Sequence, residues 1–355
     1  MKHLLEFENF IFEKKSNFFL RHEPVSEYDG KVYFIRPTSN IEWLSGDSRD
    51  EASKMNEECA FRLFQLIPSG DPKLIKNVTI NHDMPIIYYG GNIKSGLDFL
   101  KNKGIKRENM YNKPEGMKIT GNKVEFQKTF ESNGFMPKAV FNIKEAKDLT
   151  FPIVAKISNG HSGVGVQKFD TYEDLKKSKD KFDLYMEYVN FNEEYRAFFM
   201  KDKLLAINER VPIEKENKTI DTIGYSDKVR FVYVDQDLDK VPFVDEICDI
   251  AKQVRDVLPI DVYSVDFVIE DDKIWVLEVN SGTGIGAAKM AMLYMNVYED
   301  YYGEKLPDDY KKELTERYIY TGNSLNYPAN KKEISKSKYA IDYKDKTRPI
   351  LKEWK

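Results

Sequence analysis

The stretch that most constrains this chain is Ser264 to Asn280, SVDFVIEDDKIWVLEVN. Two runs rich in β-branched and aromatic residues flank Asp271, Asp272 and Lys273, a pattern that predicts a hairpin. With those residues as the loop, Asp266 lies opposite Glu278, Val265 opposite Val279, Phe267 opposite Leu277 and Ile269 opposite Trp275. Side chains alternate between faces with period two. Val265, Phe267, Ile269, Trp275, Leu277 and Val279 would then form one apolar face, and Asp266, Glu278 and Asn280 would share the other. A one-residue slip would mix the two sets, so the pattern selects this register. Two carboxylates and an amide oxygen on one surface suit magnesium, which takes octahedral oxygen coordination and keeps waters and substrate phosphates in its shell. The solvated face of an ordinary half-buried hairpin would read the same way, so the rest of the chain must decide.

At 355 residues the chain exceeds one typical core and is expected to divide into two or three lobes, with room for a cleft. Its 41% hydrophobic and 32% charged residues are those of a globular protein, and a net charge of -4 gives no overall case for binding nucleic acid or an anionic membrane. The N-terminal MKHLLEFENFIFEKK carries acids where a signal peptide needs an apolar run, and no run approaches the roughly 20 residues of a membrane span. A soluble, cytoplasmic protein is therefore expected. Cys59 and Cys248 are too few for a disulfide framework, and the histidines at 3, 22, 82 and 161 lack metal-ligand spacing, which argues against a zinc enzyme.

Residues 1 to 115 read as an open α/β lobe. It holds strands around Val32 to Arg36 and Ile86 to Tyr89, then a glycine turn and a helical segment ending on Gly104. Arg36, at a strand end, could grip a carboxylate or phosphate, or make a plain surface pair. Asn122 to Asn133 has helical pattern with Gly134 and Pro137 as stop signals, and places Lys123 in its first turn. In FPIVAKISNGHSGVGVQKF, two strand-like runs flank a loop of small polar residues, Gly160, His161, Ser162 and Gly163, whose amides could cradle a phosphate beside Lys156. That loop fits neither the Walker pattern nor GxGxxG, and a glycine-rich hairpin alone is also an ordinary structural element.

LYMEYVNFNEEYRAFF reads as two strands about a turn, with Glu187 and Glu194 at its two ends and Arg196 in the second strand. Arg210 closes the following strand, and either arginine could supply donors to a developing oxyanion or make a surface pair. Residues 211 to 229 read as a polar loop. Val241 to Leu258 has apolar residues at helical spacing and is expected to pack on the sheet. Beyond Asn280, SGTGIG places Gly282 and Gly284 in a glycine turn before another helix, a plausible place for an anion. From Gly322 the tail carries nine Lys and Arg against four Asp and Glu, read as a solvated extension in preference to a polyanion contact.

Taken in this order, the motifs resemble the ATP-grasp superfamily over Met117 to Met295, and among its members the carboxylate-amine ligases of the ribosomal-protein glutamate ligase and glutathione synthetase type. The resemblance implies an α/β (α+β) chain, with two α+β subdomains clasping ATP behind a small open α/β N-terminal domain. Boundaries are expected at 1–115, 116–200, 201–321 and 322–355. It also implies that Lys123 and Lys156 hold the α and β phosphates, with the loop at Gly160, His161, Ser162 and Gly163 over them. Glu187 and the backbone near Val189 would read adenine, and Glu194 would bind ribose. Asp266, Glu278 and Asn280 would hold Mg2+, with Mn2+ as a substitute, while Arg210 and Arg196 would stabilise the transferring group. Arg36, Gly282 and Gly284 fall on the substrate side. Two departures concern the acceptor side: Ile157 stands where a proline is usual, and GTGIG where many members have Pro-Gly.

The expected activity is formation of an amide or peptide-type bond through an acyl phosphate, with a small-molecule, amino-acid or peptide acceptor and no membrane partner. Two alternatives remain: a ligase that attaches an amino acid to a nucleotide or nucleic acid, suggested only by the basic tail, and an ATP-binding module without turnover.

Overall fold

The computed structural model describes residues 32–36, 66–68, 82–88, 101, 104–159, 165–191, 193–212, 229–233, 243–282 and 287–307. The first sheet is parallel, in the order β2-β1-β3-β4, from β1 (Tyr33–Arg36), β2 (Leu66–Pro68), β3 (Ile86–Tyr88) and β4 (Met110–Tyr111). Ile86, Ile87 and Tyr88 are all buried, the unbroken apolar run of a parallel strand covered on both faces. The helix expected before Gly104 lies outside the described residues apart from its end, where Gly104 takes φ +67.

A short helix, α1 (Pro114–Thr120), leads into α2 (Lys123–Phe130), and Asn122 caps α2 by accepting from Glu125 N at 3.0 Å. The second sheet is antiparallel, in the order β5-β8-β6-β7, from β5 (Ala139–Val140), β6 (Ile153–Lys156), β7 (Val166–Phe169) and β8 (Leu184–Glu187). A short helix, α3 (Tyr172–Lys177), precedes β8.

The third sheet has the order β11-β10-β9-β12-β13, from β9 (Glu193–Met200), β10 (Lys203–Pro212), β11 (Val229–Tyr233), β12 (Val262–Glu270) and β13 (Lys273–Asn280). Helix α4 (Val244–Val257) lies between β11 and β12 in sequence, and α5 (Ala287–Tyr302) follows β13. One face of this sheet presents Tyr195, Ala197, Phe199, Val265, Phe267, Val276 and Val279 to Phe126 and Phe130 of α2 and to Ile247, Ile250, Ala251 and Val254 of α4. Part of its other face, Phe198, Met200 and Val262, packs with Leu293, Tyr294, Val297 and Tyr298 of α5. Among the described residues no helix is long and apolar enough to cross a membrane.

The hairpin of β12 and β13 corrects part of the expected register. Asp266 pairs with Glu278, Val265 with Val279 and Ser264 with Asn280, but Phe267 pairs with Val276, Val268 with Trp275 and Glu270 with Lys273. The turn is therefore two residues, Asp271 and Asp272, at φ 48 and φ 63. Positive φ at both central positions gives the tight hairpin turn whose twist matches the strands, and aspartate tolerates that region better than most residues. A bulge at Leu277 absorbs the offset, since two residues of β13 there oppose one of β12. Trp275 and Leu277 leave the face they share in the unbulged reading and join Val189, Phe191 and Val268, while Ile274 and Val276 take their places in the core.

Candidate active site

A row of polar side chains crosses four strands of the third sheet. Asn208 on β10 pairs in register with Arg196 on β9, Arg196 with Asp266 on β12, and Asp266 with Glu278 on β13. All lie opposite the aromatic core, because residues two apart share a face. Arg196 Nε donates to Asp266 Oδ1 at 2.5 Å and Nη2 to Oδ2 at 2.6 Å, a two-pronged bond between groups only 8% and 4% exposed. Asn280 Nδ2 donates to Glu278 Oε1 at 3.0 Å. The residues the sequence pairs across the hairpin are thus brought together, and Glu194, buried on the same face of β9, extends the group.

The second sheet and α2 bring cations to this row. Lys123 Nζ lies 3.6 Å from Glu278 Oε2. The start of α2 is tied to the end of β6: Lys123 N donates to Ser158 O at 3.0 Å, and Ser158 Oγ donates to Asn122 Oδ1 at 2.6 Å. Lys156, the last residue of β6, is buried and lines one cavity with Lys123, Thr120, Leu184, Leu277 and Glu278. Burial pushes its ammonium down to about 8, against the pull of Glu278, Asp266 and Glu194. Burial acts on Glu278 in the opposite sense and would raise its carboxyl. Lys123, the Asn280 amide, Arg196 and Lys156 together outweigh that and hold it at about 2. The site therefore pairs an ionised carboxylate with an amine whose charge is easily lost.

These donors fit a magnesium ion shared with a phosphate. Among the described residues no cluster of three or more His, Cys, Asp or Glu could hold a metal by itself. Glu278 is ionised, and the Asn280 amide leaves its carbonyl oxygen out of the bond to Glu278. Asp266 gives both oxygens to Arg196, yet each carboxylate oxygen has a second acceptor direction. A hard cation completed by phosphate and water matches that partial set.

Glu187 is not brought into the group. Its carboxylate accepts from Thr150 N at 3.0 Å and lies 3.8 Å from Lys138 Nζ. On β8 it pairs with Ile153, whose side chain packs in a different core from that of Val154 and Met186. Val189, in contrast, packs with Phe191, Val268, Trp275 and Leu277 into an apolar platform beside the polar row. The platform residues Trp275 and Leu277 escape an unbulged reading of the hairpin, and the Asp-Asp-Lys string, which lacks the Asn-Gly or Asp-Gly signature of a two-residue turn, gives no signal that would have found them.

Gly282 is described and exposed, directly after the buried Ser281. Arg36 pairs in register with Pro68 and Arg210 with Phe231, but their side chains lie outside the described residues. Gly160, His161, Ser162, Gly163 and Gly284 also lie outside them, as do most of the 211 to 229 loop and the tail from Gly322. Among the described buried side-chain atoms, Asn208 Oδ1, Ser264 Oγ and Trp275 Nε1 have no hydrogen-bond partner.

Comparison with known proteins follows the same elements. A model of the RimK-like ATP-grasp domain matches residues 119–297, from α1 through the middle of α5. The fold is similar to that of N5-carboxyaminoimidazole synthetase from Staphylococcus aureus, with 12% identity, a TM-score of 0.52 and 79% of each chain covered. The ADP complex of that enzyme gives 11% identity and a TM-score of 0.53, covering 78% of this chain and 79% of that one. D-alanine–D-alanine ligase from Bacillus anthracis gives 17% identity and a TM-score of 0.50, covering 76% of this chain and 98% of that one. No curated protein sequence matches.

Proposed function

The chain belongs to the RimK-like ATP-grasp family, and from that premise we propose that it is an ATP-dependent carboxylate-amine ligase. In the reaction, a substrate carboxylate oxygen attacks the γ-phosphorus of ATP, forming an acyl phosphate and releasing ADP. An amine lone pair then attacks the acyl carbon, phosphate leaves with the C–O bonding electrons, and the nitrogen loses a proton to give the amide. The observation that carries this reading is one cavity in which Lys123 and Lys156 face the ionised Glu278, with Asn280 holding the Glu278 carboxylate.

Lys156, in a site nearly closed to water, and Lys123 at the head of α2 offset phosphate charge. Val189, Trp275 and Leu277 supply the apolar surface for the base. Base recognition beyond that falls to backbone near Val189, because the Glu187 carboxylate is engaged with Thr150 and Lys138. Glu194 serves the ribose. Asp266, Glu278 and Asn280 would hold Mg2+, which would supply neutralisation of phosphate charge. Arg196, fixed by Asp266, and Arg210 address charge developing on the transferred group.

The parallel sheet of 33–111 would form the acceptor-side lobe, and its carboxyl edge is where open α/β sheets bind ligands. Segments 116–200 and 201–321 would be the halves closing on the nucleotide. The proposed acceptor is an amino acid, peptide or other small molecule. A panel of carboxylate and amine pairs, assayed with Mg-ATP for phosphate release, tests the reading. Release that requires both members of one pair supports it, and release independent of any carboxylate or amine contradicts it.

A further inference from the structure

We propose that Asn112 is a positioning residue that holds the open end of the metal-binding hairpin against the carboxyl edge of the parallel sheet. The inference rests on the nucleotide-metal reading of Glu278 and Asn280. Asn112 directly follows β4, is fully buried and takes φ +67. Its Oδ1 accepts from Asp261 N at 2.8 Å and Val262 N at 2.7 Å. Its Nδ2 donates to Val262 O at 2.7 Å and Tyr88 O at 3.1 Å, with Ser281 O at 3.3 Å sharing those protons. The orientation of the amide is fixed by its partners, since amide nitrogens lie on one side and carbonyls on the other.

These contacts converge on one place. Val262 opens β12, Ser281 directly follows the proposed metal ligand Asn280, and Tyr88 ends β3. A second grip closes on the same residue from the far end of α1, where Thr120 Oγ1 and Ser281 Oγ lie 2.9 Å apart. Between the two grips, Lys113 N donates to Pro259 O at 2.9 Å. Gly116 packs so closely that a Cβ there would meet Pro259 O at 3.0 Å. Segment 112–120 is thus a strap from the parallel sheet, across the hairpin's open end, to the residues just before Lys123.

Asparagine is selected at this position on two counts. The left-handed backbone favours Gly, Asn or Asp. Glycine would keep the backbone but lose every side-chain contact, and aspartate could accept from Asp261 and Val262 but could not donate to the carbonyls.

The test is calorimetric titration of ADP with and without Mn2+, on wild type, Asn112→Asp, Asn112→Gly and Ser281→Ala. The expected result is Mn2+-dependent ADP affinity about tenfold weaker in the Asn112 variants, the lower end of what groups orienting metal ligands contribute, with metal-free ADP affinity unchanged. Equal losses with and without Mn2+, or no loss, overturn the inference. If the Asn112 variants do not fold in plain buffer, the same titrations in sucrose or TMAO, which favour the folded state, decide by the same outcomes. Ser281→Ala separates the Thr120 grip from that of Asn112, which meets Ser281 through its backbone carbonyl. Glu278→Gln is the control: wild-type Mn2+-dependent affinity in that protein overturns the nucleotide-metal reading and this inference with it. Loss there with none in the Asn112 variants overturns this inference alone.

Discussion

The two faces of the five-stranded sheet are made by alternate residues of the same strands and carry opposite burdens. On one, Phe267 stacks on Tyr195 with ring centroids 5.4 Å apart, meets Phe243 edge-on at 5.4 Å and is fully buried. On the other, the next residue along β12 toward its start, Asp266, is almost as deeply buried yet charged. Burying apolar rings stabilises the fold directly. Burying an ion pair recovers at best its desolvation cost. On the proposed reading, the polar row is kept for what it binds, and the aromatic face supplies the stability to keep it.

The largest expected effect breaks the contrast from the aromatic side. Phe267→Ala should cost about 3–5 kcal/mol of stability, read as a lowered denaturation midpoint, while metal-free ADP affinity of the folded protein stays at the wild-type value. Altered affinity without loss of stability would mean that the two faces are not separable. From the polar side, replacing the pair together, Arg196→Met with Asp266→Leu, should leave stability unchanged or raise it by roughly 1–4 kcal/mol and abolish ATP turnover. A large loss of stability in that double variant would show that the pair is structural.

A smaller effect comes from Lys156, whose folded pKa of about 8 lies below the ordinary 10.5 because of burial. Between those values the unfolded chain binds a proton that the folded chain does not, so Lys156 contributes stability that rises with pH across that window. On the proposed reading Lys156 binds phosphate as the charged amine, so metal-free ADP affinity should fall there by about tenfold per pH unit. Stability and affinity are expected to move in opposite directions above pH 8, followed by thermal melts and calorimetry. Movement in the same direction would remove Lys156 from the phosphate site.

How much of this was legible in the sequence depends on distance along the chain. The Asp266–Glu278 pairing could be read because the apolar alternation around it fixes the register locally. The turn end could not, because a two-residue and a three-residue loop fit the same DDK string and the Leu277 bulge hides the difference. Lys123 and Lys156 could be placed at a helix start and a strand end, but only tertiary packing brings them to Glu278. The facing of Glu187 turns on the parity of a strand whose ends the sequence leaves loose. Asn112 reads as an ordinary polar loop residue, and its hairpin partners lie about 150 to 169 positions away.

The most direct test of the account is Mg2+-dependent ATP turnover in Glu278→Gln, measured with a carboxylate and amine pair that the wild type uses, alongside its thermal midpoint. The carboxylate becomes an isosteric amide, so the fold should persist while turnover falls by about a thousandfold, the upper end of what one electrostatic contact at a reacting group supplies. A folded Glu278→Gln protein that turns over ATP at the wild-type rate would contradict it.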